Sequence, residues 1–274
     1  MMNAPLHVEI KGSGFPLVCL HGHPGSSKAM SVFTNPLSDQ FYTLTPDLRG
    51  YGKSTAKKPF TMTDHLDDLD MLLQQHEISE CFILGWSLGG ILAMEMALRS
   101  PSRIKGLILV GTAAHPQGSH PPISLKDNLY TGLASVINWV KPAWRWNIET
   151  LGKRSLYRYL VQNHTDAVYQ RLASEGITSY FQTTKYATQA LYSAIAKGYN
   201  RVPDLPQIQC PCLVLAGECD RHITAAASKE TANHLPNASY KEYEQVAHLF
   251  PWEIPSQVLT DIQTWIKSNN PNSI

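Results

Sequence analysis

The chain has 274 residues, 43% hydrophobic and 16% charged, a composition that supports a large buried core and does not resemble a disordered segment. Its formal net charge is +1 and no long basic or acidic block occurs, which argues against nucleic acid as a partner. No run approaches the ~20 apolar residues of a membrane span. The first residues show no secretory leader, so we expect a cytoplasmic protein without a membrane span.

Short apolar runs recur along the chain, and several are followed by glycine and then by a stretch with helical spacing. Continuous apolar runs of this length are typical of parallel strands that are buried on both faces. A further segment, 238–246, alternates between apolar and polar residues and predicts a strand nearer the edge of the sheet. The runs that predict buried strands are 16–20, 81–84, 104–110 and 212–216.

Between these runs, apolar residues recur at the three- and four-residue spacing of a helix face. This spacing predicts helices around 66–73, 88–97 and 258–266. Strands that alternate with helices in this way favour an α/β fold built on a doubly wound, mostly parallel sheet.

One segment, 114–203, interrupts the alternation. It holds three of the six tryptophans, its apolar spacing is helical, and it contains no convincing buried strand. We interpret it as a helical cap insertion over the functional site, although a second small packing domain would have the same pattern. The predicted organisation is therefore a core in two parts, 1–113 and 204–268, the insertion between them, and a flexible tail at 269–274.

The pattern Gly-Trp-Ser-Leu-Gly at 85–89 matches a nucleophile elbow, a tight turn between a strand and a helix that projects the serine hydroxyl above the sheet. Glycine two positions on either side of Ser87 removes the Cβ atoms that would clash where the strand and the helix meet. The apolar run before the turn and the helix formers after it supply the context that this motif requires. Ser87 is therefore the candidate nucleophile, and an idle serine in a structural turn is the alternative.

These residues resemble the α/β-hydrolase family, and the resemblance covers nearly the whole chain. Ser87 stands where haloalkane dehalogenases and epoxide hydrolases of this family carry an aspartate, so those two chemistries are excluded. The resemblance implies a Ser-His-Asp hydrolase with a helical cap. Besides the elbow, it rests on four segments: 20–25 (Leu-His-Gly-His-Pro-Gly), 47–54 (Asp-Leu-Arg-Gly-Tyr-Gly-Lys-Ser), 217–220 (Gly-Glu-Cys-Asp), and 246–248 (Val-Ala-His) followed by 253–255.

A serine hydroxyl is a poor nucleophile at neutral pH and needs a base within hydrogen-bond reach. Among eleven histidines, His248 is favoured because it follows the last alternating strand, where the carboxyl ends of strands converge in such folds. Asp220 follows the run 212–216 and would fix the imidazole tautomer and stabilise the imidazolium. The chain order Ser87, Asp220, His248 is the order described for this fold.

An oxyanion needs hydrogen-bond donors, and the backbone N–H of Leu88 is predicted to supply one of them. The resemblance assigns the second to the backbone N–H of His23, whose side chain either contacts substrate or packs against its loop. Trp86 and Phe250 are predicted to line the substrate pocket together with His23 and aromatic residues of the insertion. A last group is predicted to hold the loops rather than to react: His21, Asp47, Arg49, Gly50 and Gly52.

The residues favour a serine esterase that cleaves an ester-like bond of a small, apolar substrate through an acyl-enzyme on Ser87. The same residues are compatible with carbon–carbon bond hydrolysis, thioester hydrolysis or peracid formation. A receptor that keeps the triad and senses a small molecule is a further alternative. No metal signature and no phosphate loop occurs, so no cofactor is predicted, and a homodimer is left open.

Overall fold

A seven-stranded sheet forms the centre of this computed structural model, which describes residues 5–119 and 121–269. The strand order is β1-β3-β2-β4-β5-β6-β7, and only the β1–β3 pair is antiparallel. The strands are β1 (Val8–Lys11), β2 (Phe15–Leu20), β3 (Phe41–Pro46), β4 (Cys81–Trp86), β5 (Ile104–Val110), β6 (Cys212–Gly217) and β7 (Ala238–Tyr243).

Helices follow most of the strands and cover both faces of the sheet. Six of them belong to the core: α1 (Ser31–Leu37), α2 (Met62–Gln75), α3 (Leu88–Arg99), α9 (Ala225–His234), α10 (Phe250–Glu253) and α11 (Pro255–Asn269). Five lie between β5 and β6: α4 (Leu125–Val140), α5 (Arg145–Thr150), α6 (Asp166–Arg171), α7 (Ile177–Phe181) and α8 (Lys185–Ala196).

The strand β5 shows why the apolar runs are continuous. Leu107 and Leu109 pack into a core with α2 and α3, whereas Ile108 and Val110 pack into a second core with α1 and α11 on the other face. A parallel strand with helices on both sides has no face left for polar side chains. This two-sided burial confirms the predicted doubly wound, mostly parallel α/β sheet.

The predicted strands and helices of the core are present, and the structure adds the strands β1 and β3 and the helices α1, α9 and α10, which were not predicted. The strand β3 was not predicted, because Thr43 and Thr45 are buried within it and interrupt the apolar pattern. The strand β7 ends at Tyr243 rather than at 246, since the chain turns at Gln245, where φ is +55°. Of the predicted tail, residue 269 is the last of α11 and residues 270–274 lie outside the described residues.

The β5–β6 segment, which we define as residues 111–211, is helical and has no strand among its described residues. It rests on loops that follow three strands of the core. Thr184 N–H donates to Gly50 O at 2.8 Å, Ser26 and Ser179 share a hydroxyl hydrogen bond at 2.9 Å, and Leu249 N–H donates to Leu160 O at 2.8 Å. The segment therefore lies over the carboxyl ends of the strands.

Within residues 5–119 and 121–269, no helix combines the length and the apolar character that crossing a bilayer requires.

Candidate active site

Ser87 forms the turn between β4 and α3 in a backbone conformation that side chains rarely adopt, with φ +54° and ψ −115°. A Cβ atom on Gly85 would lie 2.3 Å from Gly89 O, and one on Gly89 would lie 2.0 Å from Leu20 O. Both glycines are therefore required for strand and helix to approach, as the elbow pattern predicts. Thr112 stabilises the turn, because its Oγ1 donates to Ser87 O at 2.8 Å.

His248 and Asp220 lie in the loops after β7 and β6, and both are buried. His248 Nδ1 lies 2.7 Å from Asp220 Oδ2, while Asp220 Oδ1 accepts the backbone N–H groups of His222 at 2.7 Å and Ile223 at 2.9 Å. An ionised carboxylate accepts hydrogen bonds only, so Nδ1 carries the proton and Nε2 of the neutral ring has its lone pair free to accept one. This is the tautomer that a general base requires.

The turn that carries His248 is fixed on both sides. Cys219 N–H donates to Val246 O at 2.9 Å, and Ala247 N–H donates to Glu253 Oε1 at 3.0 Å. The imidazole lies against Gly111, where a Cβ atom would be 3.4 Å from His248 Cε1. Since Gly111 follows β5, the neighbour of the strand that ends before Ser87, these contacts bring the histidine to the edge of the sheet occupied by the elbow.

The loop after β2 packs directly on Ser87. A Cβ atom on Gly22 would lie 3.2 Å from Ser87 Cβ and 3.8 Å from Ser87 Oγ. Next to it, His21 Nδ1 donates to Gly22 O at 2.8 Å and His21 Nε2 accepts Leu48 N–H at 3.1 Å. Burial lowers the pKa of His21 to about 4, so the ring is neutral and braces the loop.

The side chain of His23 points towards aromatic residues rather than open solvent. Its Nδ1 lies 2.9 Å from Tyr51 Oη, and its ring meets Tyr192 of α8 edge-on at 5.8 Å between ring centroids. Burial, with a smaller contribution from His21, lowers the pKa of His23 to about 4. His23 thus joins the loop after β2 to the β5–β6 segment, and its ring is uncharged.

Asp47 and Arg49 hold the loop after β3. Asp47 accepts the backbone N–H of Ser27 at 2.7 Å and of Lys53 at 2.8 Å, one on each carboxylate oxygen. Arg49 forms a two-pronged ion pair with Asp68 of α2, in which Nε donates to Oδ2 at 2.6 Å. These contacts support the expectation that the two residues maintain the loop.

Both residues predicted to line the pocket are core residues in the structure. Trp86 is 5% exposed and meets Phe33 and Trp252 edge-on, and Phe250 is 0% exposed against Tyr243 and the glycine that follows β5. In this conformation both side chains therefore pack mainly against neighbours in the core. Their role in binding substrate stays a prediction.

Two residues near the site were missed by sequence reasoning. Thr112 lies two residues after the end of β5 without any motif to mark it, and His222 lies between the predicted Asp220 and the next helix. The His222 ring packs on the His248 ring at 4.7 Å between centroids. Only the spatial arrangement of the loops reveals either residue, because neither has a characteristic spacing from Ser87.

In the part of the chain that the structure describes, no group of three or more His, Cys, Asp or Glu residues could hold a metal ion.

The comparisons with known proteins agree with this fold and site. The family model for the alpha/beta hydrolase fold matches residues 16–255, which is most of the chain. The chain therefore belongs to the α/β-hydrolase family.

Individual relatives are distant but match over nearly their whole length. A pimeloyl-[acyl-carrier protein] methyl ester esterase of Nitrosomonas europaea is 25% identical over 94% of this chain and 98% of its own length. A proline iminopeptidase of Pestalotiopsis fici is 28% identical over 85% of this chain and 84% of its own. Among solved structures, a thermophilic esterase from Thermogutta terrifontis superposes with a TM-score of 0.75 at 24% identity, covering 96% of this chain and 93% of that one.

Proposed function

We propose that the chain is a carboxylic ester hydrolase in which Ser87 is the nucleophile, His248 the general base and Asp220 the carboxylate that orients the base. The observation that carries the proposal is the geometry at the strand ends. A serine held at φ +54° between β4 and α3 lies at the same edge of the sheet as a histidine whose Nδ1 is 2.7 Å from Asp220 Oδ2. The esterases among the relatives support the same reaction.

In the proposed reaction, Ser87 Oγ attacks the ester carbonyl while His248 Nε2 takes the hydroxyl proton. The tetrahedral intermediate collapses, the bond to the alkoxy group breaks, and His248 returns the proton to the leaving alcohol. Water then enters, loses a proton to His248 and attacks the acyl-enzyme, which releases the acid and restores Ser87. Asp220 stays ionised and stabilises the imidazolium that forms twice in this cycle.

The backbone N–H of Leu88 is the first proposed donor to the oxyanion. Leu88 is the first residue of α3, and the first N–H groups of a helix have no acceptor within the helix. The backbone N–H of His23 is the second proposed donor, because the loop that precedes it packs on Ser87 at Gly22.

We further propose that residues 114–203 act as the cap. These residues, the bounds expected from the sequence, make up most of the β5–β6 segment. Its contacts with Gly50 and Leu249, and the contact of Tyr192 with His23, support this role. Aromatic rings and an uncharged histidine suit a small, apolar acyl group better than a charged one. Trp86 and Phe250 belong to the proposed pocket only if the cap opens and exposes them.

The cytoplasmic location and the homodimer stay predictions. The same triad would also serve carbon–carbon bond hydrolysis, thioester hydrolysis, peracid formation or ligand sensing, and no contact in the site favours one of these over ester hydrolysis.

The first experiment measures initial rates on p-nitrophenyl esters of increasing acyl length with the wild type and with Ser87→Ala. We expect the wild type to turn over the short apolar esters and the Ser87→Ala variant to lose at least about 10⁴-fold in kcat. The acyl-length profile then reports how much apolar chain the pocket accepts.

The matched control is Ser239→Ala, which removes an exposed hydroxyl from β7 and should leave the rates unchanged. A folded Ser87→Ala variant that keeps wild-type turnover would contradict the assignment of the nucleophile. A folded wild type that turns over no ester of the series would direct the search to the other reactions of this triad.

A further inference from the structure

The helix α4 presents six of its apolar side chains to solvent and buries the polar side chains of Asp127, Ser135 and Asn138 against the protein. At about 100° per residue, six apolar residues fall within an arc of about 120°. All six are exposed, Leu125 by 89% and Trp139 by 79%. The outward face, which we call the α4 face, consists of Leu125, Leu129, Leu133, Val136, Trp139 and Val140.

Hydrogen bonds fix this orientation, so the helix cannot turn its apolar face inward without breaking them. Buried Asn138 donates to Ala173 O and accepts from Ala143 N–H, both at 2.9 Å. Buried Asp127 accepts from Ser124 and pairs with Arg158 at 2.6 Å. The inward side of α4 is thus specified by polar contacts that would be lost on rotation.

Most of the exposed large apolar side chains lie in the β5–β6 segment. Of the fifteen large apolar side chains that are exposed among residues 5–119 and 121–269, thirteen lie between Ile123 and Ile195. The six exposed side chains of the α4 face lie on one side of one helix, and an exposed apolar face of this kind marks a surface that another body covers.

The charge of the segment indicates which kind of partner covers this surface. Residues 111–211 carry ten Lys and Arg against five Asp and Glu, whereas the rest of the chain has thirteen against seventeen. Residues 121–160, which include α4, hold six Lys and Arg against two Asp and Glu, and those two carboxylates pair with Arg158 and Lys153. The excess of positive charge repels a second copy of this surface and attracts an anionic one.

Tryptophan and lysine at the end of the helix fit a lipid interface. Trp144 and Trp146 pack together at 5.1 Å between ring centroids, and Lys141 Nζ lies 4.5 Å above the ring of Trp144. Amphipathic indole rings and long basic side chains concentrate at the headgroup level of bilayers. Lys126 flanks the apolar arc at the other end of α4 and is also exposed.

We propose that the α4 face docks on the surface of an anionic lipid bilayer. The helix lies in the plane of the membrane, its apolar face enters the boundary between headgroups and acyl chains, and the surrounding cations contact the lipid charges. Docking leaves the core exposed to water and turns the β5–β6 segment, which contacts the His248 turn through Leu160, towards the lipid. This proposal is independent of which bond the site cleaves.

The test is flotation with vesicles of phosphatidylcholine alone and of equal parts phosphatidylcholine and phosphatidylglycerol. We expect the wild type to float with the anionic vesicles, to bind the neutral ones about tenfold more weakly, and to lose this tenfold preference in about 1 M NaCl, where the Debye length is ~3 Å. The Leu129→Asp/Val136→Asp double variant should bind about a hundredfold more weakly. Lys141→Gln should weaken only the anionic binding, by about fivefold.

The matched control is Met71→Asp, which charges an exposed apolar residue of α2 outside the patch and should float as the wild type does. Circular dichroism of each variant checks that the fold is kept. A wild type that does not float with anionic vesicles overturns the proposal. So does flotation that the double variant leaves intact, or a dimer in light scattering that the double variant splits while neither protein binds vesicles.

Discussion

The core helices and the helix α4 of the β5–β6 segment are oriented in opposite ways. In the core, strands such as β4 and β6 are buried along their whole length, and the helices turn their apolar faces to the sheet. In the β5–β6 segment, α4 turns Asp127 and Asn138 inward and its leucines outward. Apolar burial therefore orients the core helices and buried hydrogen bonds orient α4, while other residues of the segment, such as Val161, Val168 and Leu172, pack into the apolar core.

This difference separates the chemistry from the surface that surrounds it. All three residues of the proposed triad lie in loops of the core, anchored by backbone hydrogen bonds and by glycines that permit close approach. The β5–β6 segment contributes contacts such as Tyr192 on His23, together with most of the exposed apolar area. The core thus holds the proposed triad, whereas the segment holds most of the exposed large apolar side chains.

The largest expected effect comes from a pair of buried aspartates, one in each region. Asp220→Asn removes the charge that fixes the His248 tautomer, and we expect kcat on p-nitrophenyl esters to fall by about 10⁴-fold. Asp127→Asn removes an equally buried charge, paired with Arg158, and should leave kcat within about twofold. Equal losses of kcat in the two folded variants would contradict the proposal that the catalytic residues lie in the core alone.

A smaller effect concerns the pH dependence of the core. His65 of α2 is buried, neither ring nitrogen has a hydrogen-bond partner among the described residues, and burial lowers its pKa to about 3. Between pH ~6.5 and that value the unfolded chain binds a proton that the folded chain does not, so stability falls as the pH falls. One such histidine costs about 2 kcal/mol on going from pH ~6.5 to ~4.5. His21 and His23 act in the same direction.

The measurement is urea unfolding of the wild type and of His65→Leu across this pH range. The variant should be nearly as stable as the wild type at neutral pH, since no hydrogen bond is lost, and should keep more stability at pH ~4.5. His234→Leu replaces an exposed histidine of α9 and serves as the control, with a wild-type profile. If His65→Leu and the wild type lose the same free energy on acidification, the burial argument for this histidine fails.

The same comparison explains how far the sequence predicts the molecule. Where burial decides, the pattern is readable: the runs 81–84 and 104–110 predict β4 and β5, and the spacing of glycines around Ser87 predicts the turn. In α4 the spacing predicts a helix but not its orientation. A helix face is ordinarily assigned by its apolar residues, and here buried partners of Asn138, distant in the sequence, reverse that assignment.

For the proposed site, motifs predict the three residues of the triad but miss neighbouring residues that hold the triad in place. Ser87, Asp220 and His248 occupy characteristic turns, whereas Thr112 and His222 reach the site only because separate loops meet in space. Phe250 shows what the sequence does not reveal. It lies two residues after His248 and was predicted to line the pocket, but its position in the chain does not show that its ring is fully buried. Proximity in sequence places a residue near the site, and packing decides what it touches.

The smallest expected effect tests whether hydrogen bonds hold α4 in its orientation. Asn138→Ala leaves Ala173 O and Ala143 N–H without their partner, which should lower the free energy of unfolding by about 2 kcal/mol. Asn128→Ala, on the exposed side of the same helix, should change it by less than about 0.5 kcal/mol. Hydrogen exchange resolves where the loss falls: in Asn138→Ala the amides of α4 should exchange faster while those of β4 to β6 keep their protection. Faster exchange throughout the sheet would instead mean that the two regions unfold as one unit, and the division between them would hold for chemistry alone.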